Sequence, residues 1–273
     1  AGTYKQGKTR KKSERTIEDY QKLVVEDERE TENEYESEYR GKVQNQKSEL
    51  KPMPLYVLTY YKKVSQVNGY TAYASVVDSL NNSHVLPSEL FLSAQERTLS
   101  EQQVERHLSA IDSLADEIGT QPANHVLLFQ RAMDYYHVKD FEGAIADMNA
   151  FLQALPSDVL GLWLRAQSRM ALLQANAKQA AASDLRLGYL MAQQDFTQCV
   201  SLCPQVAYAH YNLGAVQMEL GEVELAVASY TKAIECDPHF PDAYYNRGVA
   251  NLKLGRKEQG LSDLSQAGEY GLY

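Results

Sequence analysis

From Ser100 onward the apolar residues recur every three or four positions, the spacing of one helix face. Val104, Leu108, Ile111, Leu114, Ala115 and Ile118 make the first such stripe. Ser100-Glu101-Gln102-Gln103 in front of it carries the hydroxyl and the amide of a capping box, while Gly119 and Pro122 form a stop signal. The spacing therefore predicts a helix over 100–118. Upstream the period changes. Met53 to Tyr61 is rich in aromatic and β-branched residues behind Pro52 and reads as a strand. Asn68-Gly69 is a turn signal, and Tyr70 to Val77 reads as a second strand. Val85-Leu86 and Leu90-Phe91-Leu92 flank Pro87, which suits an edge strand or an extended connector. So small a sheet is marginal alone, so it is expected to pack on the helices that follow.

Before Pro52 the stripe thins. Ile17, Tyr20, Leu23 and Val24 follow helical spacing for two turns, and Tyr35, Tyr39 and Val43 recur every four residues. The acids between them cannot enter a core. Residues 1–51 read as a charged arm, helical or partly disordered. Three regions follow: the arm 1–51, a small β-containing segment 52–99, and a helical domain 100–273.

The helical domain repeats itself. Gly214 and Gly248, Gly221 and Gly255, and Ala233 and Ala267 each stand 34 residues apart, as do Tyr211 and Tyr245, Asn212 and Asn246, and Leu220 and Leu254. Leu213-Gly214 is a small pair where two helices approach closely, Gly221 marks the turn between them, and Ala226, Tyr230 and Ala233 form a small–large–small stripe. Asp237-Pro238 ends the unit, because proline cannot continue a helix. This segment resembles the tetratricopeptide repeat family, most clearly over 207–273 and extending to about residue 125. Four repeats are expected, at 125–158, 159–206, 207–240 and 241–273, with 100–118 as an N-terminal cap helix. The second repeat is longer by 14 residues (Pro156 to Pro204 spans 48 residues instead of 34), so Leu173 to Leu185 holds an insertion or a lengthened helix. In the last repeat Gly260 replaces the usual alanine and Leu264 the aromatic. Repeat arrays need polar ends, so either the chain continues past Tyr273 or another molecule covers this end.

The resemblance implies a mainly α fold, a right-handed superhelical solenoid whose first helices line a concave groove. It places Phe129, Met133, Tyr136, Trp163, Gln167, Tyr208, Tyr211, Asn212, Tyr245 and Asn246 in that groove. Aromatic and methionine side chains favour interfaces, and an amide can both donate to and accept from a peptide backbone. The plainer reading of the aromatics is packing between neighbouring helices. A carboxylate clamp would need bases along the groove; Lys253 is nearly alone there, while Arg165 and Arg247 occupy positions that face the second helix.

Charge narrows the partner. Residues 5–15 are basic and residues 18–38 strongly acidic, while residues 100–273 hold 12 bases and 21 acids, a net −9. That excludes nucleic acid at the repeats and favours a basic or apolar peptide. No stretch approaches the roughly 18 apolar residues of a membrane span. Cys199, Cys203 and Cys236 show no disulfide framework, and Cys199 and Cys203 with His210 make only a weak zinc candidate. No phosphate loop, nucleophile elbow or HExxH pair is present, so no cofactor, no metal and no catalytic residue are expected. The chain begins Ala1-Gly2-Thr3, without methionine or apolar leader, which leaves open a removed leader and either a cytoplasmic or an envelope-associated site.

The function expected is a non-catalytic scaffold that binds a peptide or protein through the groove. One alternative is a structural subunit of a larger assembly, for instance in a bacterial envelope; the repeats combined with tyrosine-rich strands suggest a bacterial source. A remoter alternative is an enzyme with its site in 52–97, around Tyr56, Tyr60, Tyr61, Tyr70 and Tyr73.

Overall fold

Three of the described helices begin where a side chain replaces a missing main-chain partner. In the computed structural model, which describes residues 50–58, 91–94 and 99–272, the first helix, α1, runs Glu101–Thr120 behind a complete capping box. The Gln103 N–H donates to Ser100 Oγ at 3.3 Å, and the Ser100 N–H donates to Gln103 Oε1 at 2.9 Å. The helix does not stop at Gly119 as the spacing suggested. It continues to Thr120 and ends at Gln121, which the following Pro122 holds out of the helical region at φ −129° and ψ 60°. Asp140 and Asp158 cap the helices that start at Phe141 and Val159, accepting from the Gly143 and Gly161 N–H groups.

The remaining helices are α2 (Val126–His137), α3 (Phe141–Ala154), α4 (Val159–Asn176), α5 (Ala182–Leu202), α6 (Ala207–Glu219), α7 (Val223–Cys236), α8 (Pro241–Lys253) and α9 (Lys257–Glu269). The described residues form two compact units. One spans Pro54–Asp237, and the other joins residues 50–53 to 238–272. In the first, α1 to α7 pack consecutively, each against the next. In the second, α8 packs on α9. The architecture is mainly α with a small sheet, built as consecutive helix pairs.

The turn inside each regular pair needs a left-handed residue. Gly221 and Gly255 supply it, at φ 76° and 72°. In the first pair the equivalent position is Lys139, which adopts φ 64° despite its side chain. The equivalent residue of the second pair is Leu173, and it lies inside α4. The insertion is thus absorbed by helix: α4 has 18 residues and α5 has 21, against 13 and 14 in α6 and α7.

Ion pairs follow the same register. Arg131 forks onto Asp147 at 2.7 and 2.8 Å, and Arg247 onto Asp263 at 2.7 and 2.9 Å, each pair 16 residues apart. Arg165 forks onto Asp195, 30 residues away, so the 14 extra residues do not disturb the contact. Arg169 joins the same carboxylate, and burial holds its guanidinium below its ordinary pKa. The third pair has Leu213 and Ser229 instead, and Ser229 Oγ donates to Gln217 Oε1 at 2.7 Å. Close approach of the paired helices is set by glycines. A Cβ on Gly214 would lie 2.7 Å from the Tyr230 ring, and one on Gly248 would lie 2.9 Å from the Gly260 carbonyl oxygen. The last pair therefore has glycine facing glycine, with Leu264 beside it where Tyr230 and Phe196 stand in the two preceding pairs.

Two short strands complete the larger unit. β1 (Tyr56–Leu58) lies within the predicted strand, and β2 (Phe91–Ser93) is the piece expected to be an edge strand or connector. They pair antiparallel, with Tyr56 opposite Ser93 and Leu58 opposite Phe91. Leu55, Leu58 and Phe91 are buried in one core with Phe129, Met133, Trp163 and Met170. The sheet is stable because the helices cover it. The arm over 1–49, the Asn68-Gly69 turn, the strand at 70–77 and the tyrosines after Tyr56 in that segment lie outside the described residues.

Candidate peptide-binding site

Four aromatic residues occupy one register position on the first helix of each pair: Phe129, Trp163, Tyr211 and Tyr245. The residues after the last two are Asn212 and Asn246. On the same helices Tyr208 lies three positions before Tyr211 and Gln167 four positions after Trp163, which puts each pair on one side of its helix. Among the described residues, that side of α4 and α6 is covered by the chain itself, at residues 54–58.

The contact is read through the main chain. The Tyr56 N–H donates to Asn212 Oδ1 at 2.9 Å, and Asn212 Nδ2 donates to the Tyr56 carbonyl at 2.6 Å. One side-chain amide thus satisfies both polar groups of one extended residue. Trp163 Nε1 donates to the same carbonyl at 3.1 Å. The Tyr211 hydroxyl donates to the Pro54 carbonyl at 2.9 Å, and the Leu58 N–H donates to Gln167 Oε1 at 2.8 Å. In the smaller unit Asn246 repeats the grip on Met53, accepting from its N–H at 2.7 Å and donating to its carbonyl at 3.3 Å.

Side chains complete the site. The Tyr56 ring stacks on Tyr208 at 4.4 Å with 12° between planes, and meets Tyr211 edge-on at 5.4 Å. Phe91 lies against Trp163 at 4.3 Å. Asn212 is wholly buried and Gln167 is 1% exposed. Burying such amides is costly unless they are hydrogen-bonded. Asn212 uses both ends of its amide, whereas Gln167 Nε2 has no partner among the described residues.

Of the residues predicted to line a groove, Trp163, Gln167, Tyr208, Tyr211 and Asn212 touch residues 54–58 or the strand beside them. Phe129 and Met133 are buried in the same core, and Phe129 meets Phe151 at 5.8 Å. Tyr136 packs against the edge of the same core and meets Phe141 at 5.4 Å, and burial pushes its phenol up to about 12. Tyr245 and Asn246 serve the smaller unit, where Tyr245 is buried beside Leu50 and Met53. The sequence reading missed the occupant. The signal was available in Pro52 and Pro54, which favour an extended backbone in an apolar stretch with nowhere else to go. Tyr56, a candidate for chemistry in that stretch, is instead stacked and held by its main chain.

The other candidates resolve as structure. Cys199 is fully buried and donates to the Val159 carbonyl at 3.7 Å, and burial raises its thiol well above the ordinary value. His210 Nε2 lies 2.9 Å from the Pro204 carbonyl. Among the described residues no cluster of three or more His, Cys, Asp or Glu is placed to hold a metal ion, and no helix is long and apolar enough to cross a membrane.

The family model for the TPR repeat matches residues 217–255. No curated protein matches the chain. Among solved structures, one of MamA is similar with 18% identity and a TM-score of 0.54, covering 64% of this chain and 96% of that one. A second MamA structure has 18% identity and a TM-score of 0.54 over 73% and 90%. MamA 41-end from Desulfovibrio magneticus RS-1 has 14% identity and a TM-score of 0.53 over 63% and 97%. At these identities the likeness is one of fold. The family model marks residues 217–255 as a tetratricopeptide repeat, and the helix pairs of this chain share their fold with these structures.

Proposed function

We propose that the chain is a non-catalytic protein-interaction scaffold that binds an extended segment of a peptide or protein partner on the first-helix faces of its repeats. One observation carries this reading: the buried amide of Asn212 takes both main-chain groups of a single extended residue. An amide so placed recognises backbone, and backbone recognition suits a peptide rather than a small molecule. The aromatic rings beside it supply apolar area at low entropy cost. Proteins built from these repeats generally mediate protein–protein interactions, which agrees with the reading. The test is affinity capture from cell lysate with the full chain and with its Asn212/Asn246 double alanine variant. A partner lost in the variant supports the reading; a partner captured equally by both moves the interface elsewhere.

A second reading, a structural subunit of a larger assembly, draws on α5. Leu187, Leu190 and Met191 share one helix face and are 60%, 38% and 42% exposed. Leu187→Glu abolishes assembly under that reading and leaves peptide capture intact under the first. Size measurement on the two proteins separates them.

A further inference from the structure

We propose that the site on α4 and α6 is specific for an extended, uncharged partner segment of Pro-Leu-Tyr-aliphatic-Leu chemistry, and that residues 54–58 are its resident surrogate, displaced when that partner binds. The proposal rests on the reading that this helix face binds peptide segments, and it names the segment.

The resident defines the chemistry. Its first residue offers only a carbonyl, and Tyr211 takes it. Its second and fifth, Leu55 and Leu58, are 8% and 5% exposed and enter the apolar core. Its third is the anchor, stacked on Tyr208 and held at both main-chain groups by Asn212. A charge at the second or fifth position would be buried in an apolar core, where it costs far more than an aliphatic side chain. The occupant also lends an edge to β2, and the Ala94 N–H donates to the Leu55 carbonyl at 2.7 Å. A partner segment in its place would join β2 by the same strand addition.

The resident is also an incomplete ligand. Asn212 makes both bonds that an amide can make to one extended residue, yet Gln167 makes only one. Its Oε1 accepts from Leu58, while Nε2, in a side chain 1% exposed, has no partner among the described residues. A segment that brings a carbonyl to that nitrogen gains a hydrogen bond the resident lacks. The resident holds the site because its tether keeps its local concentration high, and not because its contacts are saturated.

The probe is a fluorescent synthetic peptide with the sequence of residues 52–60, titrated into the full chain by anisotropy. In the Tyr56→Ala chain the resident loses its anchor, and the peptide is expected to bind about ten-fold more tightly than to the wild type. Adding Asn212→Ala to that chain removes the gain, and a peptide carrying alanine in place of its tyrosine loses it too. Equal affinity for the wild-type and Tyr56→Ala chains, with helical circular dichroism preserved, overturns the proposal. So does a gain that Asn212→Ala leaves untouched. Leu58→Ala is the second opening variant; if neither it nor Tyr56→Ala folds, the segment is permanent core and the proposal falls. A panel of unrelated extended peptides separates this failure from a broader one. If they bind the Tyr56→Ala chain through Asn212 and the 52–60 sequence does not, only the specificity is wrong. If no peptide binds, the scaffold reading fails with it.

Discussion

The side-chain amide of Asn212 closes two hydrogen bonds on the main chain of Tyr56, 156 residues away in sequence. Asn212 is itself wholly buried, and without its amide the Tyr56 carbonyl keeps only the bond from Trp163 Nε1. Asn212→Ala is expected to destabilise the 54–237 unit by about 2 kcal/mol, two net hydrogen bonds at ordinary strength. Asn212→Asp should cost more, because a carboxylate keeps the acceptor and turns a second lone pair toward the Tyr56 carbonyl. Urea denaturation followed by Trp163 fluorescence reads both.

Helix approach in the repeats depends on missing side chains. Gly214→Ala brings a methyl to 2.7 Å from the Tyr230 ring, and Gly248→Ala brings one to 2.9 Å from a main-chain oxygen of Gly260. A ring can tilt, whereas the facing backbone moves only with its helix. Both changes should destabilise by about 1–3 kcal/mol, with Gly248→Ala the more severe. Thermal unfolding of the two variants tests the order.

The left-handed turn residues give a cleaner backbone test. A Cβ on Gly221 would meet nothing within 4 Å, so Gly221→Ala adds only the strain of φ 76°, about 1 kcal/mol. Lys139 already bears that strain at φ 64°. Lys139→Gly should therefore leave stability unchanged or raise it by up to about 1 kcal/mol, even though glycine loosens the unfolded chain. A loss for Gly221→Ala and no loss for Lys139→Gly in thermal unfolding are the expected outcome.

A pH dependence follows from Asp134 on α2. Burial raises its carboxyl above the ordinary value, and the 2.7 Å hydrogen bond to His107 of α1 pulls in the other direction. His137 stacks on His107 at 4.8 Å and completes the surroundings of that carboxyl. A carboxyl raised in the folded state contributes stability that is fully present below its ordinary pKa and is lost as pH rises through the folded value. The stability of the wild type relative to Asp134→Asn should thus fall as pH rises from about 4, the ordinary carboxylate value, toward neutrality. His107→Ala should steepen that fall by removing the opposing hydrogen bond. Urea midpoints across this range measure it, and a flat difference would refute the assignment.

Much of this protein was legible before any coordinates. The 34-residue spacing of Gly214 with Gly248 and of Gly221 with Gly255 marks helix approach and turn, because glycine fits a close contact and a left-handed turn at no steric cost. Ser100 and Gln103 mark a helix start because the cap is local. The end of α1 was misplaced by two residues, since Gly119 stops a helix only when the chain beyond it turns left-handed, and Pro122 acts at Gln121 instead. The 14 extra residues of the second repeat were countable, but their place in α4 and α5 depended on which helix ends could extend without losing contacts.

By itself the sequence determined the repeats, their turns and the cap at Ser100, since those follow from spacing along the chain, and the resemblance they carry assigned Asn212, Asn246, Gln167 and the aromatic register to the groove face of the first helices. Tertiary structure alone decided what lies on that face. A side-chain amide accepts any extended backbone, so nothing near Asn212 or Gln167 in the sequence specifies a partner. The choice of Pro54 to Leu58 came from the burial of Leu55 and Leu58, the stacking of Tyr56 on Tyr208 and the pairing of β1 with β2, contacts between residues that only folding brings together.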